Sequence, residues 1–111
     1  MMLLITREQR EKLLENGRNS GKDHTPVVKL FTPDGPCTWL LTEILPSDPT
    51  IAFGLCDLGQ GYPELGYVDL TEISSVRGKL GLEVERDLYV TLDKPISWYA
   101  EEAQKAGRIT V

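Results

Sequence analysis

The stretch IAFGLCDLGQGYPELGYVDL, from Ile51 to Leu70, sets three carboxylates, Asp57, Glu64 and Asp69, around a loop that contains Gly59 and Gly61. Carboxylates at the two ends of one loop can share a proton or hold a hard cation, which is the chemistry of a metal-dependent hydrolase. Asp57 closes one apolar run and Glu64 opens the next, so this spacing brings them together at one end of a sheet. A calcium loop needs more oxygen ligands at shorter, regular intervals. A carboxylate beside a glycine turn more commonly caps that turn. The Gly-x-Gly pair lacks the third glycine, the Lys-Ser/Thr pair and the following helix that cradle a phosphate, so it reads as a tight connection. These residues define no catalytic set, no metal site and no cofactor.

Glu43 raises a different question. Alternation along CTWLLTEIL (Cys37 to Leu45) sets it on the face of Trp39 and Leu41, inside a strand that reads as buried on both sides. A buried carboxylate needs a partner, and Arg86 is the candidate, because a guanidinium grips a carboxylate with two parallel hydrogen bonds. That pair reads as a structural ion pair first. His24 is the single histidine, so a histidine-rich zinc site is excluded. It lies beside Asp23 in a polar loop, with no nucleophile elbow. Cys37 and Cys56 sit in apolar runs at no metal-ligand spacing and read as buried thiols of a reducing cytosol. Tyr62 and Trp98 are aromatic candidates either for a partner contact or for the core.

The charge is distributed unevenly. The chain has 111 residues and a net charge of −5, but residues 1–29 carry six Lys/Arg against four Asp/Glu. Between Lys29 and Arg77 there is no basic residue, and seven acids stand there: Asp34, Glu43, Asp48, Asp57, Glu64, Asp69 and Glu72. A surface built from that segment repels phosphate and attracts a cation or a basic protein. Nucleic acid is therefore not expected on the middle segment. The alternative is a basic face made by Arg7, Arg10, Arg18 and Lys22.

The elements that position these residues follow from breakers and periodicity. Thr6 and Gln9 form a capping-box signal for a helix from Arg7 to about Asn16, with Gly17 as its stop. VVKLF (Val27 to Phe31), CTWLLTEIL and IAFGLCD (Ile51 to Asp57) read as strands, separated by TPDGP and by PSDP. Ala52, Gly54 and Cys56 put small side chains on one face of the third, which predicts a helix packed close above it. Leu65 to Leu70 reads as a fourth strand. Thr71 is the expected cap of a short helix, Glu72 to Arg77. DLYVTL (Asp87 to Leu92) alternates as a fifth strand, and Pro95 opens a last helix with Ile96, Tyr99, Ala100 and Ala103 on one face. The expected fold is one α+β domain over residues 1–111: a single antiparallel sheet of about five strands, a meander, with N-terminal and C-terminal helices packed on it. The N-terminal MMLLI is too short for a signal peptide or a membrane span, so a cytoplasmic protein is expected, with no membrane partner.

Three long phrases, DHTPVVKLFTPDGPCTWLLTE, IAFGLCDLGQGYPELGYVDL and RGKLGLEVERDLYV, resemble the bacterial family catalogued as domain of unknown function 2958. The resemblance runs from the first helix to about Pro95. It implies a setting, namely short proteins of plasmids, integrative elements and phages, with related domains in large conjugative-element proteins beside antirestriction-type modules. It implies no catalytic residues. The matching positions include Thr42, Glu43, Asp57, Pro63, Glu64, Gly66 and Arg86. The reading that follows is a small acidic protein-interaction module of a mobile genetic element, an accessory or anti-defence factor. Its partner would be a host or element-encoded protein with a basic surface, met by Asp57, Tyr62, Glu64 and Asp69. The rivals are a hydrolase using Asp57, Glu64 and Asp69, and nucleic-acid binding through the basic N-terminal segment.

Overall fold

The computed structural model describes residues 4–111. Thr6 Oγ1 accepts from the Gln9 amide at 3.1 Å, and Gln9 Oε1 accepts from the Thr6 amide at 3.0 Å. This reciprocal capping satisfies two amides that a helix start otherwise leaves open. Helix α1 spans Arg7–Arg18. Strands β1 (Val28–Phe31), β2 (Thr38–Leu45), β3 (Asp48–Asp57) and β4 (Glu64–Asp69) form an antiparallel meander. Helix α2 (Leu70–Ser75) follows directly. Strand β5 (Glu85–Arg86) then pairs with β1, which gives the order β4-β3-β2-β1-β5. Helix α3 (Ile96–Ala106) ends at Gly107, whose φ of 76° is the left-handed conformation that closes a helix without a side-chain penalty. The expected α+β architecture is the one observed.

The sheet is covered on both faces. On one side α1 and α2 bury Leu13, Leu70 and Ile73 against Val28, Leu30, Trp39, Leu41, Ile44 and Ala52. On the other side α3 buries Ile96, Tyr99, Ala100 and Ala103 against Leu40 and Leu55. Strand β2 is the middle strand, and its run of six consecutive buried residues meets both cores. Complete burial of each large aliphatic side chain contributes roughly 1.5–3 kcal/mol, so the two cores supply most of the driving force.

The joint between α1 and β2 sets the local geometry. The β2–β3 register runs Leu41↔Gly54 and then Glu43↔Phe53, so Thr42 is an extra residue in β2, a β-bulge. The bulge keeps Thr42 in the fold by two bonds: its Oγ1 donates to Phe53 O at 3.2 Å, and its carbonyl accepts from Asn16 Nδ2 at 3.0 Å. Asn16 is buried. Gly17 lies so near β2 that a Cβ there would stand 2.0 Å from Ile44 O. This close approach explains why the helix runs past Gly17, against its expected role as a stop. The glycine is needed for contact, and its missing side chain does not end the helix.

Other boundaries also differ from expectation. Strand β3 begins at Asp48, three residues before Ile51, because the pairing of β4 starts only at Ile51↔Asp69 and Pro49 removes no ladder bond there. Ala52 and Cys56 do pack beneath the helices of the α1 face. Gly54 answers to a different neighbour: a Cβ there would stand 2.0 Å from Leu40 O in β2. The cap of α2 is Asp69, which accepts from the Thr71 amide at 2.8 Å, and not Thr71. DLYVTL is not a strand: β5 ends just before it at Arg86, because Asp87 Oδ1 takes the amides of Tyr89 and Val90 at 2.8 and 3.0 Å and turns the chain. The Tyr89 amide first, and then Lys29 Nζ at 3.2 Å, hold the Asp87 carboxyl below its ordinary value. Its stabilising contribution is therefore present above the unfolded value and lost as pH falls through the lowered folded one.

Two substitutions test the joint. Asn16→Leu leaves the Thr42 carbonyl without its donor and is expected to cost about 2 kcal/mol, while Gly17→Ala forces the helix off β2 at about 2–3 kcal/mol. Gly66→Ala, whose Cβ would meet nothing within 4 Å, should change stability by less than about 0.5 kcal/mol. Urea denaturation midpoints would show this order, and equal midpoints for Gly17→Ala and Gly66→Ala would contradict it.

Candidate functional site

The structure separates the loop carboxylates. Asp57 is 2 % exposed. Its Oδ1 accepts from the Gly59 amide and its Oδ2 from the Ile109 amide, each at 2.8 Å. It therefore closes its own turn and ties down the segment after α3, with both oxygens occupied. Glu64 pairs in register with Cys56, the neighbour of Asp57, and so projects from the opposite face of the sheet. The two carboxylates line different hollows, Asp57 with Thr38 and Ile109, Glu64 with Cys56, Leu58 and Tyr62. Asp69 is occupied as the cap of α2. Among the described residues no group of three His, Cys, Asp or Glu side chains is placed to hold a metal ion.

The two thiols are free and partly buried. Burial, and after it the charge of Glu64, pushes Cys56 up to about 11. Burial followed by the charge of Asp57 also raises Cys37, against a lowering bond from Thr32. Both shifts favour the protonated thiol over the reactive thiolate.

The bulge changes the meaning of Glu43. The extra residue at Thr42 turns Glu43 away from the face of Trp39 and Leu41 and sets it opposite Phe53, on the α3 side. Ile44 then takes the place next to Leu41 in the core of the α1 face. Glu43 and Arg86 are not brought side by side. Arg86 pairs with Leu30 and Leu30 with Trp39, so Arg86 lies two strands across the sheet and level with a point four residues back along β2. Arg86 lines a groove with Gln9, Val28 and Leu88.

Glu43 lines a hollow of about 360 Å³ instead. Its walls come from four places: Glu43 and Phe53 in the middle of the sheet, Leu65 and Tyr67 on β4, Ile96 and Ser97 at the start of α3, and Ser20 to Asp23 in the loop after α1. The Phe53 and Tyr67 rings meet edge to face, 5.1 Å between centroids. Asp23 is engaged by the first turn of α3: its Oδ1 accepts from the Ser97 amide at 3.1 Å and its Oδ2 from Ser97 Oγ. This holds the loop against the helix and forms the rim. Glu43 is 8 % exposed and, among the described residues, accepts no hydrogen bond and makes no ion pair. The hollow thus has one unengaged carboxylate set among aromatic and aliphatic side chains.

Phe53, Leu65 and Tyr67 are absent from the residues that sequence reasoning selects. The available signal is the spacing of Leu41 and Ile44: two apolar core positions three residues apart in a strand require a bulge between them. Tyr62 is 79 % exposed and lines a hollow with Glu64. Trp98 is 43 % exposed and leans edge to face on Tyr99. His24 is a loop anchor, its carbonyl accepting from the Ile96 amide at 2.8 Å and its ring bonding Asn19 O. Arg7, Arg10, Arg18 and Lys22 are exposed, but Glu8, Glu11 and Glu15 are interleaved with them and Arg7 pairs with Glu11 at 3.4 Å.

Fold and hollow define a small sheet-and-helix domain with an acidic, aromatic recess at one edge. The chain belongs to the family described as protein of unknown function (DUF2958), which matches residues 4–110. No curated protein and no solved structure matches it.

A carboxylate kept for structure should be missed when it is removed. Glu43→Gln is expected to shift the unfolding midpoint by less than a few degrees, about 1 kcal/mol, because no hydrogen bond or ion pair with a described residue is lost. A larger fall in a thermal melt followed by circular dichroism would show Glu43 to be a structural group.

Proposed function

We propose that this chain is a small protein-interaction module that a mobile genetic element uses inside a bacterial host, as an accessory or anti-defence factor. Its partner is a protein with a basic surface. The mobile-element setting is what the family resemblance implies. The interaction reading is supported chiefly by one observation, the open edge of β4.

Strand β4 is the last strand on its side of the sheet, six residues long, and ELGYVD contains no lysine, no proline and no bulge. Proteins blunt an exposed strand edge with these devices, since unpaired amides and carbonyls recruit another chain. The opposite edge is guarded by brevity, because β5 has two residues. Strand β4 also presents Tyr67 at 65 % exposure and leads in from Tyr62, an arrangement suited to a partner that adds a strand and docks side chains beside it. An acid stands at each end of this strand, Glu64 and Asp69. A strand carrying Lys or Arg meets the same two acids favourably. Asp57, buried and bonded to the Gly59 and Ile109 amides, is not part of this surface.

The test is affinity capture of the tagged chain from host lysate, wild type against Tyr62→Ser/Tyr67→Lys, with melting curves to show that both are folded. The expected outcome is a basic protein retained by the wild type at low salt, released by about 0.5 M salt, and lost in the variant. The same proteins retained by both forms would refute the β4 surface.

A further inference from the structure

We propose that the Glu43 hollow is a binding site for an arginine side chain presented by the partner. This deepens the reading of β4 as the docking edge and rests on it, since Tyr67 and Leu65 belong both to that strand and to the hollow wall.

Glu43 carries the argument. It is more than nine-tenths buried and unengaged among the described residues, and what exposure it keeps opens into a recess of about 360 Å³. A carboxylate that opens into a recess with aromatic walls and receives no donor from the described residues pairs well with a cation that brings its own hydrogen bonds. The walls narrow the choice of cation. A divalent ion needs several oxygen ligands, and the only other acid here, Asp23, already has both oxygens occupied by Ser97. An organic cation needs one carboxylate and an aromatic wall, and Phe53 and Tyr67 supply that wall. Guanidinium fits better than ammonium because it is planar, more weakly hydrated, and able to pair with both oxygens of Glu43 while lying on a ring. The volume is within the lower part of the range for ligand sites, roughly 300–1,000 Å³.

Lys22 also lines the recess, on an exposed loop, and is its one resident competitor among the lining residues. It makes no ion pair with Glu43, so an incoming arginine need not displace a formed bond.

The experiment is a nuclear magnetic resonance titration of the whole ¹⁵N-labelled chain with acetyl-Gly-Arg-Gly-amide. The citrulline peptide, equal in shape but uncharged, serves as the control. The arginine peptide should give saturable shifts at Glu43, Phe53, Tyr67 and Ile96, with affinity at least about tenfold above citrulline. Glu43→Gln should remove that difference, and Lys22→Ala should tighten binding. Tyr67→Ala, at an exposed position, provides a second variant and should weaken binding as well. Equal binding of arginine and citrulline, shifts elsewhere on the molecule, or undiminished affinity in Glu43→Gln would each overturn the proposal. If the peptide fails while capture through β4 succeeds, the pocket falls and the docking edge stands. If the peptide binds through Glu43 while the β4 variant keeps its partner, the docking edge falls, and with it the placement of the arginine on that partner.

Discussion

The hydrogen bond from Asn16 to the Thr42 carbonyl is the constraint from which the rest of the site follows. A bulge leaves one backbone carbonyl outside the ladder, and in a buried strand that carbonyl must be met. Helix α1 meets it with Asn16, and Gly17 allows the approach by presenting no side chain to Ile44 O. With the bulge fixed, Ile44 enters the apolar core and Glu43 turns out of it. Without the extra residue the alternation would continue, and Glu43 would enter the cluster that holds Leu13 and Ala52, where a charge is costly. The same residue that stabilises the helix–sheet joint thus delivers a carboxylate to the other face.

The second consequence concerns the edges. Because β2 is central and buried on both sides, the segment without basic residues supplies β2, β3, β4 and α2, and its acids fall either into fold-supporting positions or toward the β4 side. Asp57 and Asp69 are consumed by backbone amides. Glu64 and Glu43 are left for contact, one on each face of the sheet, Glu64 on the edge strand β4 and Glu43 two strands in from it. Acidic residues on an open strand favour a basic incoming chain. Charge and hydrogen-bonding capacity select the same kind of partner.

Much of the fold was legible in the sequence, because its signals are local. Thr6 with Gln9, the TPDGP turn, the alternating runs and the apolar face of Ile96, Tyr99, Ala100 and Ala103 each state their element in a few residues. What was not legible depends on contacts between distant segments. Gly17 looks like a stop until the approach of β2 is known. Asp69 and Thr71 are both acceptable caps, and the choice is made where β4 leaves the sheet. DLYVTL alternates well, but the Asp87 side chain takes the amides after it. The site suffered most, since a one-residue bulge reverses the face of every residue until the register is restored. Alternation therefore put Glu43 beside Leu41 and paired it with Arg86. Asp57 looked like a surface group because its second partner, Ile109, lies 52 residues away.

The measurement that tests this account most directly is the set of nuclear Overhauser contacts made by the Glu43 side-chain methylene protons in the free protein. The account places them on the α3 face, against the ring of Phe53, the cross-strand neighbour of Glu43. Contacts instead to Leu13 and Ala52, on the α1 face, would mean that β2 has no bulge at Thr42, and the hollow would lose its carboxylate.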